Sequence, residues 1–243
     1  GGEEEPPFFE EGFDPPWLDA LQPWNRTGEF DAPGFTDRDN LYFTVFDEEE
    51  DRIQDAIVRV RNRGSFEDPD WSEGEIILRS RGEEDEQPRA MDPSFFRSPG
   101  GRQFMVFGSH AGGIYVTELD ARTGRLLEHP EDVWCDERTR FPDRFVRVAT
   151  NELDDEQDQF GIEAPFILYH QGWYYLFVNW GRCCSGLQST YTIRVGRSRD
   201  PEGPYRTRER QRMIDGGGTL LLRSEGRFIG PGHAGVYRYE EAG

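Results

Sequence analysis

One short pattern recurs four times along this chain of 243 residues. Each copy opens with a polar, proline-containing signature, continues into apolar and aromatic residues, crosses a polar turn and returns as a second aromatic run. The openings stand at Asp31, Asp92, Glu163 and about Gly230, at intervals of 61, 71 and about 67 residues. A period of this length suits a propeller blade of four short strands with their loops. The repeat therefore predicts an all-β fold of radially arranged sheets.

The period also sets how many blades the chain can supply. At about 66 residues per blade, 243 residues make roughly 3.7 blades. Closed propellers of about four to eight blades leave no exposed sheet edge. We therefore predict an incomplete five-bladed β-propeller with about four blades in residues 28–243. Residues 1–27 are acidic and proline-rich, and we expect an arm or the remnant of a preceding blade there.

Further strands are predicted inside each period. Alternation of polar and apolar residues is typical of half-buried strands. It predicts middle strands at 55–61, 113–119 and 191–198, and outer strands at 75–80 and 219–224. We find no convincing amphipathic run beyond about ten residues, so little helix is expected. The acidic run at 151–159 is expected to be a solvated loop.

Charge and hydropathy exclude several classes of partner. The formal net charge is −20, which argues against nucleic acid as a ligand because phosphates need a basic surface. No apolar run reaches the roughly 18 residues that span a bilayer, so we expect no membrane partner. The 14% of aromatic residues can build a core despite the low aliphatic content. We expect a monomer that binds a neutral or positively charged ligand.

The cysteines and the chain ends constrain fold and function less than the repeat does. Cys135, Cys183 and Cys184 are an odd number, which is not a disulfide framework. The adjacent Cys183 and Cys184 could form a vicinal disulfide or remain two thiols. Neither end looks natural, since the chain begins Gly-Gly-Glu-Glu-Glu-Pro-Pro without an apolar signal segment. We therefore expect any targeting signal to lie outside this sequence.

Asp92 and Glu163 are the candidates for chemistry. Each begins the first strand of its repeat, and in propellers that strand lines the central funnel. Two carboxylates that face one cavity raise each other's proton affinity, so one can stay protonated near neutrality. That arrangement suits glycoside hydrolysis, in which inverting enzymes hold the two carboxyl groups about 6.5–9.5 Å apart. The alternative is that both are solvated acids in turns at strand starts.

Two further positions could contact a ligand. His233 stands in the fourth opening, where it could hold a metal or a water molecule, or be structural. Trp180 ends an aromatic run just before the paired cysteines and is the best aromatic candidate for stacking on a sugar. The other aromatic residues of that run are expected to fill the core.

Six ordered motifs resemble glycoside hydrolase family 43, and most closely its arabinan endo-1,5-α-L-arabinosidase branch. The resemblance covers roughly residues 28–239. The motifs are Met91-Asp-Pro-Ser-Phe-Phe, Val106-Phe-Gly-Ser-His-Ala-Gly-Gly-Ile-Tyr, Gly161-Ile-Glu-Ala-Pro-Phe-Ile-Leu, Cys183-Cys-Ser-Gly-Leu-Gln-Ser-Thr-Tyr-Thr-Ile-Arg-Val-Gly-Arg-Ser, Asp200-Pro-Glu-Gly-Pro-Tyr and Gly230-Pro-Gly-His. The resemblance implies a five-bladed β-propeller and an inverting glycosidase that uses three carboxylates.

The resemblance also implies roles for single residues. Glu163 matches the general acid, and Asp92 matches the aspartate that orients this acid and raises its pKa. His233 matches a histidine near the axis that often contacts a bound ion, commonly calcium, through water. Gly112 and Gly113 match a stretch close to the sugar-binding positions. Asp31 matches the opening of the second blade, where it is expected to contact substrate.

One part of the family pattern is missing. The general base of the family is an aspartate in a His-Asp-Pro motif of the first blade, and this sequence has no such motif. We therefore expect the first blade to be missing and the chain alone to be inactive. The resemblance predicts hydrolysis of arabinan or arabino-oligosaccharides. The alternatives are a β-xylosidase or α-L-arabinofuranosidase of the same fold, or a non-catalytic sugar-binding propeller. An extracellular location is expected for an enzyme that acts on polymers.

Overall fold

The computed structural model describes residues 30–35, 40–49, 52–65, 68, 70–81, 88–110, 112–127, 134–135, 145–151 and 161–236. Within these residues the chain forms β-strands and two short 3₁₀ turns, Gly186–Gln188 and Met213–Asp215. The strands are β1 (Phe30–Phe35), β2 (Asn40–Glu49), β3 (Arg52–Arg61), β4 (Glu75–Arg81), β5 (Ser94–Arg97), β6 (Gln103–Phe107), β7 (Ile114–Leu119), β8 (Trp134–Cys135), β9 (Val146–Ala149), β10 (Ile162–His170), β11 (Trp173–Trp180), β12 (Thr192–Ser198) and β13 (Thr219–Leu222).

These strands make three sheets. The first has the order β1-β2-β3-β4-β8, the second β5-β6-β7-β9 and the third β10-β11-β12-β13. Strands that follow one another in a sheet pair antiparallel, except that β8 pairs parallel with β4. The all-β prediction is confirmed, and each sheet begins at one of the first three repeat openings. The number of blades and the incompleteness of the ring stay predictions.

The predicted strands agree with β3, β4, β7, β12 and β13, although β13 ends at Leu222 rather than 224. The fourth repeat opening differs from the others. Residues 223–236 are described and contain no strand. Glycines on both sides of Pro231 favour a turn over a strand. Residues 1–27, and 152–159 of the acidic run, lie outside the described residues.

The second sheet is buried between the other two. Phe104 and Val106 of β6 face one core cluster with the third sheet, whereas Met105 and Phe107 face another with the first sheet. A strand that packs on both faces needs apolar residues at every position, which explains why β6 reads Gln-Phe-Met-Val-Phe without polar alternation. Full burial of each such side chain stabilises the fold by about 1.5–3 kcal/mol.

Aromatic rings bridge the second and third sheets. Phe96 stacks on Phe104 at 5.1 Å between ring centroids and meets the edge of Tyr174 of the third sheet at 6.0 Å. Such pairs contribute about 0.5–1.5 kcal/mol beyond the area that they bury. This core of rings fixes the angle between the sheets, and so it fixes where the sheet openings meet.

The first strands of the first and third sheets share one irregularity. In β1 the pairing steps from Asp31 opposite Thr44 to Gly34 opposite Tyr42. In β10 it steps from Glu163 opposite Asn179 to Phe166 opposite Phe177. Each first strand therefore holds one extra residue within its Ala-Pro step, which is a β-bulge. Proline is tolerated there because a bulge does not need its missing N–H.

Candidate active site

Asp92 connects all three sheets at their openings. Its backbone N–H donates to Oγ1 of Thr44 in the first sheet at 3.0 Å. Its Oδ2 accepts the N–H of Ala164 in the third sheet at 2.9 Å. The side chain is only 6% exposed, and the backbone is left-handed with φ of 52°. Aspartate tolerates that conformation better than most residues, because its short polar side chain can hydrogen-bond locally.

The predicted meeting of the repeat openings therefore occurs. Asp31 lies opposite Thr44 in the pairing of β1 with β2, Asp92 bonds that threonine, and Glu163 immediately precedes Ala164. The side chain of Asp31 lies outside the description, so its contact with substrate stays a prediction. Asp92 and Glu163 are not on separate outer surfaces, and the reading as two independent solvated turns does not fit a buried Asp92.

The carboxylate of Glu163 is surrounded by three polar side chains. Oγ of Ser109 donates to its Oε2 at 3.2 Å, and Nε2 of His110 lies 3.6 Å from the same oxygen. The hydroxyl of Tyr191 also interacts with the Glu163 carboxylate. The Glu163 side chain is 15% exposed, so it is held firmly but can still be reached from outside. A carboxyl group held this way can exchange a proton with a bound molecule.

A buried asparagine fixes the backbone below this carboxylate. Nδ2 of Asn179 donates to the carbonyl oxygens of Glu163 at 3.4 Å and Ala164 at 3.1 Å. These bonds satisfy carbonyl groups that the β-bulge takes out of the regular ladder. The amide thus stabilises the bulge from which the Glu163 side chain projects.

Two glycines shape the loop that carries Ser109 and His110. Gly108 has φ of 123° and packs directly on the backbone of Gly113, where a Cβ would overlap the carbonyl oxygen. Gly113 has φ of 84°, and a Cβ there would lie 2.6 Å from the carbonyl oxygen of Ala149. Only glycine fits both positions. The N–H of Gly108 donates to the carbonyl of Met91 at 2.8 Å, which fixes the loop beside Asp92.

This packing changes the interpretation of Gly112 and Gly113. Both are buried, and Gly113 contacts the second sheet through its backbone. Little of their surface is available to a sugar, so direct contact with substrate is not what the structure favours. They lie close to the site because they close the turn behind His110, whose carbonyl accepts the Gly113 N–H at 3.1 Å.

Burial lowers the pKa of His110, and the nearby Arg89 guanidinium acts in the same direction. The carboxylates of Glu163 and Asp55 oppose this shift but do not overcome it. Asp55 is itself fully buried and forms two bonds with Arg89, at 2.8 and 2.9 Å. His110 is therefore neutral near pH 7. A neutral imidazole places no positive charge beside the Glu163 carboxyl group.

Burial also raises the pKa of Tyr191 strongly, and the negative charges of Glu163 and Asp92 add to the effect. The phenol therefore remains protonated and acts as a hydrogen-bond donor. Burial likewise raises the pKa of Cys183 to about 12, with a hydrogen bond to Cys184 as the next cause. Cys183 and Cys184 are free cysteines in the structure, so nucleophilic thiolate chemistry at neutral pH is not favoured.

Trp180 does not occupy the predicted position. Its side chain is 3% exposed and belongs to the core between the second and third sheets. The guanidinium of Arg194 lies 4.0 Å from the centre of its ring. A buried indole has no open face for a sugar, so the expectation of ligand contact by Trp180 does not fit this structure. The physical reason is strand parity, since Trp180 shares its face of β11 with Leu176 and Val178.

His233 lies at the site through its backbone. Its N–H donates to Oδ1 of Asn179 at 3.1 Å, and its side chain is exposed. Calcium prefers about six to eight oxygen ligands. Among the described residues no group of three or more His, Cys, Asp and Glu side chains could hold a metal. The described surroundings of His233 do not fit a calcium cage built from protein carboxylates, and a water-mediated ion there stays a prediction.

The structure also contains a cavity away from this site. A cavity of about 1070 Å³ is lined by residues such as Trp173, Tyr175 and Arg197. These residues are at the opposite end of the third sheet from Glu163, so the cavity does not belong to the site.

The described residues include no helix long and apolar enough to cross a membrane.

Sequence reasoning missed Ser109, His110, Asn179 and Tyr191. Ser109 and His110 lie in a quoted motif but were not singled out. A usable signal existed, because Thr44 and Asn179 occupy the same place in their sheets, opposite the acid of β1 and β10. In the first and third sheets, the polar residue that pairs with the opening acid therefore marks the same site as the acid.

The fold and site together define an all-β protein of repeated sheets of four or five strands, with carboxylates gathered at the sheet openings. The model of the family described as glycosyl hydrolases family 43 matches residues 15–242. The chain belongs to this family, which confirms the resemblance predicted from the motifs.

The relatives include arabinan-degrading proteins. The extracellular exo-α-(1→5)-L-arabinofuranosidase of Cellvibrio japonicus (strain Ueda107) is 30% identical over 241 residues, which covers 94% of this chain and 64% of that protein. A solved exo-1,5-α-L-arabinanase from a bovine ruminal metagenomic library has a TM-score of 0.73 and 27% identity, over 93% of this chain and 70% of that one.

A second solved structure, of Cellvibrio cellulosa α-L-arabinanase complexed with arabinohexaose, has a TM-score of 0.66 and 28% identity, over 90% of this chain and 68% of that one. The chain thus spans less than two thirds of the length of the first curated relatives that it matches, at 64% and 65%.

Proposed function

We propose that the whole protein is an inverting glycoside hydrolase that acts on α-1,5-linked L-arabinan or arabino-oligosaccharides. Family membership and the names of the relatives support this substrate class. The observation that carries the proposal is the bond from the Ala164 N–H to the buried carboxylate of Asp92. It places one buried acid beside a second, partly exposed acid, Glu163. This pairing of two different environments suits general acid catalysis.

In this mechanism Glu163 donates a proton to the oxygen of the leaving sugar. Ser109 and Tyr191 hold its carboxyl group at a fixed angle, and His110 stays neutral beside it. Asp92 positions the acid through the backbone of Ala164. A further carboxylate would act as general base and activate water on the opposite face of the sugar. Proton donation by a positioned acid contributes about 10²–10⁴-fold to the rate.

The remaining features of the proposal concern the whole protein. We propose a five-bladed propeller in which the three described sheets are consecutive blades, and the base comes from another blade. We also propose secretion, because relatives are named extracellular, and a monomeric state. The ligand is a neutral glycan, which agrees with the net charge of −20.

The test is turnover of debranched arabinan by the whole protein and by its Glu163→Gln variant. We expect the variant to lose about 10²–10⁴-fold in kcat, because glutamine keeps the shape but cannot donate the proton. Glu225→Gln is the matched control, since Glu225 is an exposed acid beyond β13. A panel of aryl arabinosides, xylosides and galactosides then gives the sugar. Full activity of Glu163→Gln, or turnover of xylosides alone, would overturn the assignment.

A further inference from the structure

We propose that the segment 230–233, Gly-Pro-Gly-His, positions Glu163 through Tyr191 and Asn179, with Gly232 as the residue that locates the Tyr191 ring. This inference rests on the proposed function of Glu163 as the acid. In this positioning role, residues 230–233 need no metal ion and do not use the His233 side chain.

Gly232 lies directly against the ring of Tyr191. A Cβ at Gly232 would overlap Cδ1 and Cε1 of this ring, and it would lie 3.1 Å from Oδ1 of Asn179. Gly232 is not left-handed, in contrast to Gly230, whose φ is 60°. Backbone conformation therefore does not explain the glycine at 232. The reason is space, because any side chain would push the phenol away from its present position.

The neighbours of Gly232 hold the segment in place. The Gly230 N–H donates to Oγ of Ser224 at 2.9 Å. A Cβ at Gly230 would overlap the side chain of Ser189, two residues before Tyr191. On the other side, the His233 N–H donates to Oδ1 of Asn179 at 3.1 Å. The segment is thus fixed at both ends, and Gly232 between them cannot move away from the ring.

Both residues that the segment contacts act on Glu163. Tyr191 is 6% exposed, and its hydroxyl interacts with the Glu163 carboxylate. Asn179 is fully buried, and its amide bonds the carbonyl oxygens of Glu163 and Ala164. One contact therefore fixes the side chain of the acid and the other fixes its backbone. A phenol donor that shifts by about 1 Å no longer makes a good hydrogen bond.

The first sheet contains a matching arrangement. Oγ1 of Thr44 accepts the N–H of Asp92, which opens the second sheet. Oδ1 of Asn179 accepts the N–H of His233, which lies in the fourth opening. Thr44 and Asn179 are equivalent by strand pairing, since they face Asp31 and Glu163. The side chain at this position thus anchors the next repeat opening, so residues 230–233 are placed by the same rule that places Asp92.

The test compares Gly232→Ala with Tyr191→Phe, alone and together. The primary readout is the NMR resonance of the Glu163 carboxyl carbon at fixed pH, measured in the whole protein. We expect both variants to shift this resonance in the same direction, because each removes the phenol donor. The double variant should shift it no further than Tyr191→Phe alone, since the two changes act on one bond. Gly235→Ala is the control, because a Cβ at Gly235 meets nothing within 4 Å.

Activity of the whole protein on arabino-oligosaccharides provides the second readout. We expect kcat to fall about 10–100-fold in either variant while KM changes by less than about twofold. If turnover is absent but the resonance shifts as expected, the proposed function fails and the positioning holds. If turnover is present but Gly232→Ala leaves the resonance and kcat unchanged, the positioning fails.

A measurement on the unmodified protein covers the case in which Gly232→Ala does not fold. The α protons of Gly232 should show nuclear Overhauser effects to the ring protons of Tyr191. Their presence, together with the shift in Tyr191→Phe, supports the inference. Their absence overturns it, as does additive behaviour of the two substitutions.

Discussion

Replacing Asp92 by alanine removes a buried acceptor and places alanine in a left-handed conformation, with φ of 52°. The N–H of Ala164, a residue 3% exposed, would lose its partner at a cost of about 1–3 kcal/mol. The poorer tolerance of alanine for left-handed backbone adds up to about 1 kcal/mol. We therefore expect the free energy of unfolding to fall by about 1–4 kcal/mol. For a chain of this size that lowers Tm by about 2–16 °C.

Asp92→Asn separates the two parts of this effect. Asparagine tolerates the left-handed region as aspartate does, and its carbonyl oxygen can accept the Ala164 N–H. We expect a loss below about 1 kcal/mol in urea-induced unfolding, with kcat still reduced because the charge is gone. If Asp92→Ala proved as stable as Asp92→Asn, Asp92 would not be the link between the sheets.

Two further outcomes follow from charges near the site. The pKa of His110 is lowered in the folded state, so its contribution to stability is present above the unfolded pKa of about 6.5 and is lost as pH falls below it. Between pH 7.5 and pH 5, the urea midpoint should therefore drop less for His110→Gln than for the unmodified protein. Equal drops would contradict the stated direction of the pH dependence. Arg89→Met leaves the fully buried Asp55 unpaired and should cost about 3–5 kcal/mol in denaturant unfolding. Arg102→Met, at a half-exposed pair, should cost less than about 1 kcal/mol, and similar losses in both variants would refute the difference in burial.

The repeat was enough to predict that Asp92 and Glu163 meet. Repeated openings occupy equivalent places in repeated sheets, so their convergence follows from the order of residues along the chain. The same repeat also predicted the place of residues 230–233, where the His233 N–H bonds Asn179 as the Asp92 N–H bonds Thr44. No strand begins there among the described residues, which end at 236.

The residues around Glu163 were harder to predict. Ser109 and His110 come from the second sheet and Tyr191 from the edge of β12, so their meeting depends on how two sheets pack. No local pattern records that packing. The position of Trp180 was different, because it follows from local parity. Alternate residues of a strand share one face, so Leu176, Val178 and Trp180 all point into the core.

The extra residue in β1 and β10 separates chemistry from folding. In β10 the strand carries Glu163 before the bulge, and after the bulge Ile167 belongs to the core between the second and third sheets. Mutations at the acid can therefore change the reaction without disturbing the interior. Deleting Ala164 would instead remove the bulge of β10, and with it the N–H that donates to Asp92. A sheet built on this device can change its chemistry at one end while its packed core stays constant.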